Sequence, residues 1–459
     1  MPEKGSYRTI WTLAWPQLLM MFFHFLIGFV DVWVAGRLGR EVQASMGMIT
    51  QALFFFLVVA IALANGSVAA ISQSWGAGLM LRVKRYIGLG LEIGVCLGFV
   101  FLAAGLLLKD VLLDLLQLSD EVLPVAGYIL QVFLYILPGY YLLIICNAMF
   151  RAQQKVMIPL YSMMIVTVVN TFGDFALGLG WWGFPMLGYK GLAWTTFGAV
   201  LCGVLFNLFI LYRQGFLKRA SFAPWRWIKR AWPYLFKVAW PAGLVQVVWH
   251  SAYLVLFAIT AALPVGSVVA LAGMSAGLRV ESLLFLPGVA FNFTASILVG
   301  NCLGRGDVQG AKKIGYQVML VALVSVSLLT IAMWQVIEPV AGFVAPDPEV
   351  SREAVNYLQY NMAAIPFLLV AMVLGGALTG AGATLYQMFG MGAASWLIRI
   401  PLAYILGHLV IQEATGVWMA MFISMVFQAG IMLYLYQFTN WANFAQKKGK
   451  RKHSGGPQW

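Results

Sequence analysis

The chain has 459 residues, of which 62% are hydrophobic and only 10% charged, and 29 Lys and Arg against 16 Asp and Glu give a formal net charge of +13. About a quarter of the residues of a soluble chain are charged, so this composition excludes a water-soluble globular protein and leaves no room for a separate soluble domain. The basic residues lie in short loops and in the tail, which indicates orientation in a membrane rather than binding to nucleic acid.

Apolar segments separated by polar residues, Gly or Pro predict an all-α polytopic membrane protein of about twelve transmembrane helices in the lipid bilayer. The predicted spans are 11–35, 45–72, 86–108, 125–149, 160–180, 190–212, 234–262, 275–298, 316–337, 355–380, 387–411 and 415–438. The first segment is too long for the core of a signal peptide, so we expect it to remain as the first helix.

The loop charges predict the orientation. The loops after spans two, four, six and eight and the tail are basic, and they alternate with acidic or uncharged loops, apart from Arg37 and Arg40 in an outside loop. The positive-inside rule therefore predicts cytoplasmic N and C termini in a prokaryotic plasma membrane. The longest basic connection divides the chain into an N-terminal six-helix bundle at 1–213, a cytoplasmic linker at 214–233, a C-terminal six-helix bundle at 234–440 and a basic cytoplasmic tail at 441–459.

The two halves resemble each other in sequence. The stretch Leu13-Ala14-Trp15-Pro16 opens the first span, and Val238-Ala239-Trp240-Pro241 opens the seventh. The Gly-rich ends of the second and eighth spans, at 72–78 and 300–306, repeat with nearly the same offset. This periodicity indicates a duplication, and a site at or near the interface of duplicated halves is typical of secondary transporters.

Two acids lie inside otherwise apolar spans of the first half. Asp31 is in the first span and Asp174 is in the fifth, where an ionised carboxylate costs at least about 2 kcal/mol unless it is paired, hydrated or protonated. Asn170 shares a helix face with Asp174 because the two are four residues apart. The three side chains suit Na⁺ or a shared proton, and the sequence does not choose between these ions. The alternative is a hydrogen-bonded group that only locks spans one and five together.

The duplicate of this cluster is lost in the second half. With Gly178 and Gly407 as the anchor of the alignment, Arg399 takes the place of Asn170 and Ala403 takes the place of Asp174. Glu281 is the remaining deep acid there. It either forms an ion pair with Arg279 or Arg399, or contacts a substrate cation.

Several motifs in order along the chain resemble one transporter family. They are Pro16, Gly28-Phe29-Val30-Asp31, Phe150-Arg151-Ala152-Gln153, Asn170 with Asp174, Arg279-Val280-Glu281-Ser282-Leu283, Gly375-Gly376-Ala377-Leu378-Thr379-Gly380-Ala381-Gly382 and Arg399-Ile400-Pro401-Leu402-Ala403-Tyr404. Over nearly its whole length the chain resembles the multidrug and toxic compound extrusion (MATE) family. The resemblance implies two six-helix bundles in a V around a central cavity, and export of small amphipathic, often cationic drugs or toxins in exchange for H⁺ or Na⁺.

Within that family, the acids of this chain resemble the DinF-like branch, which has an N-terminal cluster. Asp31, Asn170 and Asp174 match the cluster, and the resemblance implies that Thr196 supplies its hydroxyl. The NorM-like branch has acids in its seventh and tenth helices, whereas the seventh span here offers Gln246, Trp249 and His250.

Two other functions were weighed. A flippase of a lipid-linked saccharide or cell-wall precursor is expected to line its cavity with several basic residues, yet Arg279 and Arg399 are the only deep candidates. A membrane enzyme is not expected, because the sequence has no HExxH motif and no Cys/His cluster. We expect a monomer without a cofactor other than the coupling ion. His24 and His250 either titrate near neutral pH or, as is more common inside a bundle, are neutral hydrogen-bonding partners.

Overall fold

The computed structural model describes residues 7–218 and 221–446, and long helices dominate this part of the chain. Twelve of the described helices are long and apolar enough to cross a membrane, as the sequence predicted. They are Tyr7–Leu38 (α1), Arg40–Gly76 (α2), Met80–Leu107 (α3), Leu123–Ala152 (α4), Met157–Gly178 (α5), Tyr189–Arg213 (α6), Trp225–Ala261 (α7), Ser267–Arg305 (α8), Val308–Trp334 (α9), Pro348–Ala381 (α10), Thr384–Val410 (α11) and Ala414–Phe438 (α12). The fold is an all-α polytopic membrane protein made of two six-helix bundles.

Several helices begin well before the predicted spans. The helix α7 starts at Trp225, so residues 225–233 of the predicted linker belong to it, and α10 starts at Pro348, where the carboxylate of Asp347 accepts hydrogen bonds from the amides of Glu349 and Val350. Hydropathy detects only the part of a helix that lies in hydrocarbon, whereas capped polar turns extend past it. Most of the predicted basic tail, at 447–459, lies outside the described residues.

Two short helices, which the sequence did not predict, strengthen the case for a duplication. Lys109–Leu115 follows α3, and Ile337–Val344 follows α9 at the equivalent place in the second half. The starts of α6 and α12 also repeat one close contact: Gly191 lies against the carbonyl of Leu177, and Gly416 lies against the carbonyl of Leu406. A side chain at either glycine would overlap this backbone. The two halves therefore repeat the same close helix contact as well as the same sequence pattern.

The two halves contact each other at the end of the bundle that carries the basic loops. This basic side carries the connections 77–79, 153–156, 214–224, 306–307 and 382–383. The Nε2 of Gln73 on α2 donates a hydrogen bond of 2.8 Å to the carbonyl of Gly380 on α10, and its Oε1 accepts one of 2.8 Å from the amide of Gln446. The first residues after α12 thus belong to the fold and help to hold the halves together.

A second contact on the basic side depends on a missing side chain. Gly76, the last residue of α2, lies against the backbone of Asn301 on α8, and a Cβ at this position would overlap that backbone. Deeper in the bundle, Gln17 on α1 donates a hydrogen bond of 2.8 Å to the hydroxyl of Thr294 on α8. The opposite side of the bundle, which carries the acidic loops, includes the connection between α1 and α2 at Gly39. There the guanidinium of Arg37 lies 4.7 Å from the centre of the Trp33 ring. The structure is therefore closed between its halves on the basic side.

We predict that Gly76→Val separates the halves on the basic side, because the new side chain needs the space that the backbone of Asn301 occupies. Spin labels at the exposed positions Leu81 and Val308, introduced after the native cysteines have been replaced, report the separation by pulsed electron resonance. The mean distance should increase by at least about 2 Å, since helix separations vary by that much with the side chains at the contact. The control is Gly47→Val on the same helix, where a Cβ meets nothing within 4 Å. An unchanged distance in Gly76→Val would contradict the closed contact.

Candidate cation site in the N-terminal half

Two helices of the first half bring the predicted polar residues together. Asp31 lies on α1, and Asn170 and Asp174 lie one turn apart on α5. At Asp174 the backbone of α5 widens from an α-helix to a π-helical turn, Asp174–Gly178. Such turns occur frequently at functional sites, because they release backbone groups from the regular hydrogen-bond pattern.

One amide nitrogen joins the two carboxyl groups. The Nδ2 of Asn170 donates to Oδ1 of Asp31 at 2.8 Å and to Oδ2 of Asp174 at 2.6 Å. Asn170 and Asp174 have no exposed surface, whereas Asp31 is only partly buried. The carboxyl groups therefore lie side by side, one enclosed and one accessible from the space beside α1.

The hydrogen bonds of this cluster are incomplete. The Oδ1 of Asp174 and the Oδ1 of Asn170 are buried without a hydrogen-bond partner. A buried polar atom without a partner costs about 1–3 kcal/mol, and two neighbouring negative charges in apolar surroundings repel each other and lose their hydration. A proton or a small monovalent cation between these oxygens would remove both penalties. The donor set of carboxylate and amide oxygens also fits Na⁺, a hard cation.

The predicted hydroxyl residue has a different local role. Thr196 on α6 is buried, and its hydroxyl donates to the carbonyl of Leu192 in the same helix at 3.1 Å. The neighbouring Thr195 packs against Gly173, the residue before Asp174, and its buried hydroxyl has no partner. Sequence reasoning missed Thr195, because consecutive residues of a helix point about 100° apart and two adjacent threonines do not reveal which one faces α5. The role implied for Thr196 remains a prediction.

The polar residues predicted in the second half bind other partners. The carboxylate of Glu281 on α8 accepts a hydrogen bond of 2.6 Å from the hydroxyl of Tyr357. The Nε of Arg399 on α11 donates to Ser424 at 2.9 Å, and Arg279 is exposed. One interpretation of Glu281 was a direct ion pair with Arg279 or Arg399. In the described part of the chain, Glu281 is bound by Tyr357 instead and forms no such pair.

The two membrane histidines also differ in their surroundings. The side chain of His24 on α1 is exposed. His250 on α7 shares a hydrogen bond of 2.9 Å between Nδ1 and the carbonyl of Gln246, and its ring lies 3.9 Å from the ring of Phe54 on α2. The environment of His250 therefore fits the predicted hydrogen-bonding role, and the role of His24 stays a prediction.

Comparison with known proteins gives consistent results over nearly the whole chain. The MatE family profile matches residues 16–176 and 241–405, once in each half. The "Probable multidrug resistance protein NorM" of Thermotoga maritima is 25% identical over 437 residues, which cover 94% of this chain and 92% of that protein.

Solved structures show the same fold. A structure described as a MATE in the straight conformation has a TM-score of 0.87 at 17% identity and covers 94% of this chain and 95% of that chain. An outward-facing multidrug resistance MATE family transporter has a TM-score of 0.83 at 19% identity, with 93% and 94% covered. At such identities these structures support the architecture of two six-helix bundles and nothing finer.

We predict that Asn170→Ala destabilises the protein by about 1–3 kcal/mol at neutral pH, because both carboxyl groups lose their shared donor. The loss should shrink in acidic buffer, where the second carboxyl group is protonated as well and its hydroxyl supplies a further hydrogen-bond donor. Thermal unfolding in detergent at both pH values measures the effect. The matched control is Asn207→Ala, which removes a buried hydrogen bond of 2.9 Å to the neutral amide of Asn147. Equal pH dependence of the two variants would contradict a carboxylate role for Asn170.

Proposed function

The chain belongs to the MatE family of multidrug and toxic compound extrusion transporters, and we propose that it is a secondary antiporter that exports small amphipathic, often cationic compounds in exchange for H⁺ or Na⁺. Members of this family are transporters and not enzymes. The multidrug resistance names of the relatives and the twelve membrane helices support the proposal.

The observation that carries the coupling proposal is the amide of Asn170, which donates to both Asp31 and Asp174 while two buried oxygens of the cluster have no partner. The cluster holds one proton or one monovalent cation. A bound ion contributes to transport only through its different affinities for the inward-open and outward-open states. The cluster joins α1 to α5, so an ion bound there stabilises one arrangement of these helices over another.

The position of the cluster indicates from which side the ion enters. Asp31 lies seven residues before the end of α1 at Leu38, hence about 10 Å from the acidic side. Because the halves are closed on the basic side and Asp31 is partly accessible, the cluster exchanges its ion with the acidic side in this conformation. With both termini in the cytoplasm of a cell bounded by its plasma membrane, this side faces outward, where the entering ion is more concentrated.

Two further features support details of the proposal. The cluster lies in the N-terminal bundle, as in the DinF-like branch. The helix α7 offers Gln246, Trp249 and His250 where the NorM-like branch has an acid. Both features support assignment to the DinF-like branch. A flippase for a pyrophosphate-linked lipid needs several basic groups in one cavity, yet Arg279 is exposed on α8 and the Nε of Arg399 donates to Ser424. Small amphipathic compounds are therefore the favoured substrates.

We predict that Asp31→Asn and Asp174→Asn each reduce ion-driven transport by about tenfold or more, since coupling free energies commonly correspond to factors of this size. Proteoliposomes with an imposed Na⁺ or pH gradient and a fluorescent organic cation measure the transport rate. The control is Glu92→Gln, which removes an exposed acid from α3. Wild-type coupling in both aspartate variants would contradict the site, and the gradient that drives wild-type transport identifies the ion.

A further inference from the structure

A cavity lies in the C-terminal half. It has a volume of about 220 Å³ and is formed by α7, α8 and α10. Trp249, Tyr253 and Phe285 form aromatic walls, and Glu281 is the one carboxylate among the residues that line it. None of the three residues of the N-terminal cluster lines this cavity, so its chemistry is independent of the ion site.

The carboxyl group of Glu281 is held in a fixed orientation. Its side chain is 6% exposed, and the hydroxyl of Tyr357 binds Oε2 at 2.6 Å. A hydrogen bond from a neutral hydroxyl fixes the orientation of a carboxylate but leaves its charge in place. A negative group held in an apolar pocket is stabilised most by a positive group that enters the pocket.

The positive charge nearest to this cavity lies behind its aromatic wall. The guanidinium of Arg399 is 5.2 Å from the ring centre of Trp249 and 5.6 Å from that of Tyr253, and it is bound by Ser424. Arg399 is not among the residues that line the cavity. Among the residues that line the cavity the acidic group is therefore in contact with a bound ligand and the guanidinium is not, which favours cations over anions.

The walls and the size narrow the ligand class further. The rings of Trp249 and Tyr253 lie 5.4 Å apart at 50°, and aromatic faces bind cations and other aromatic rings. Pockets for drug-sized molecules measure about 300–1,000 Å³, so a cavity of this size holds one aromatic ring system with its charged group.

We propose that this cavity binds the cationic aromatic group of the transported compound, with Glu281 as its counter-ion and Trp249 and Tyr253 as its stacking walls. The inference deepens the proposed export function and rests on it. It assigns recognition of the organic cation to the C-terminal half and binding of the coupling ion to the N-terminal half. The two steps are then separable by substitution.

The test is equilibrium binding to purified protein in nanodiscs without any ion gradient. The probes are N-methylquinolinium, a monovalent aromatic cation, quinoline, its neutral analogue, and 1-naphthoate, an aromatic anion. Glu281→Gln keeps an acceptor for Tyr357 and removes only the charge. It should weaken binding of the cation by at least about tenfold and change binding of quinoline little, since loss of a buried ion pair has effects of this size or larger.

The matched control is Glu353→Gln. Glu353 is a partly buried acid of α10 that accepts a hydrogen bond from Trp418 and does not line the cavity, so its variant should bind the cation like the wild type. Trp249→Leu should weaken binding of the cation and of quinoline together, because it removes the stacking wall. The proposal is overturned if the wild type shows no saturable binding of the cation, if it prefers 1-naphthoate, or if Glu281→Gln binds the cation normally. The Asp31→Asn and Asp174→Asn transport experiments judge the ion coupling separately.

Discussion

The membrane interior offers no water to a buried charge, and this constraint determines how the cluster of Asp31, Asn170 and Asp174 functions. Asp174 is fully buried, its carboxyl group lies beside that of Asp31, and one amide nitrogen serves both. Two ionised carboxylates in this position repel each other, whereas one proton or one Na⁺ makes the group stable. Burial of the two acids is therefore the physical basis of the ion-binding role that we propose for this cluster.

The position of the cluster in the fold links ion binding to the arrangement of the helices. The cluster joins α1 to α5, and α5 widens into a π-helical turn at Asp174. On the basic side, Gln73 and Gly76 of α2 hold the halves together through contacts with the second bundle. An ion that enters from the acidic side and a closure on the basic side are the two elements that alternating access requires. In the proposed mechanism the aromatic cavity beside Glu281 binds the organic cation in the other half, so the ion and the compound do not compete for one carboxylate.

The parts of this account that follow from local patterns could be predicted from the sequence. Apolar segments of sufficient length gave the twelve helices, and the spacing of Asn170 and Asp174 placed both on one face of α5. Side-chain partners and exposures that depend on packing between distant segments could not be predicted. Tyr357 as the partner of Glu281, the exposed position of His24, and Thr195 rather than Thr196 against Gly173 are all set by how helices rotate against one another. The polar first turns of α7 were missed because hydropathy does not detect helix outside the hydrocarbon.

The most direct test of the central claim is infrared difference spectroscopy of the carboxyl groups, comparing the wild type with Asp174→Asn at neutral pH. In buffer without Na⁺, the account predicts a protonated carboxyl band in the wild type that is lost in the variant. If Na⁺ is the coupling ion, adding it should replace that proton and weaken the band. A wild-type protein in which Asp31 and Asp174 are both ionised, with neither a proton nor a bound Na⁺ between them, would contradict the account.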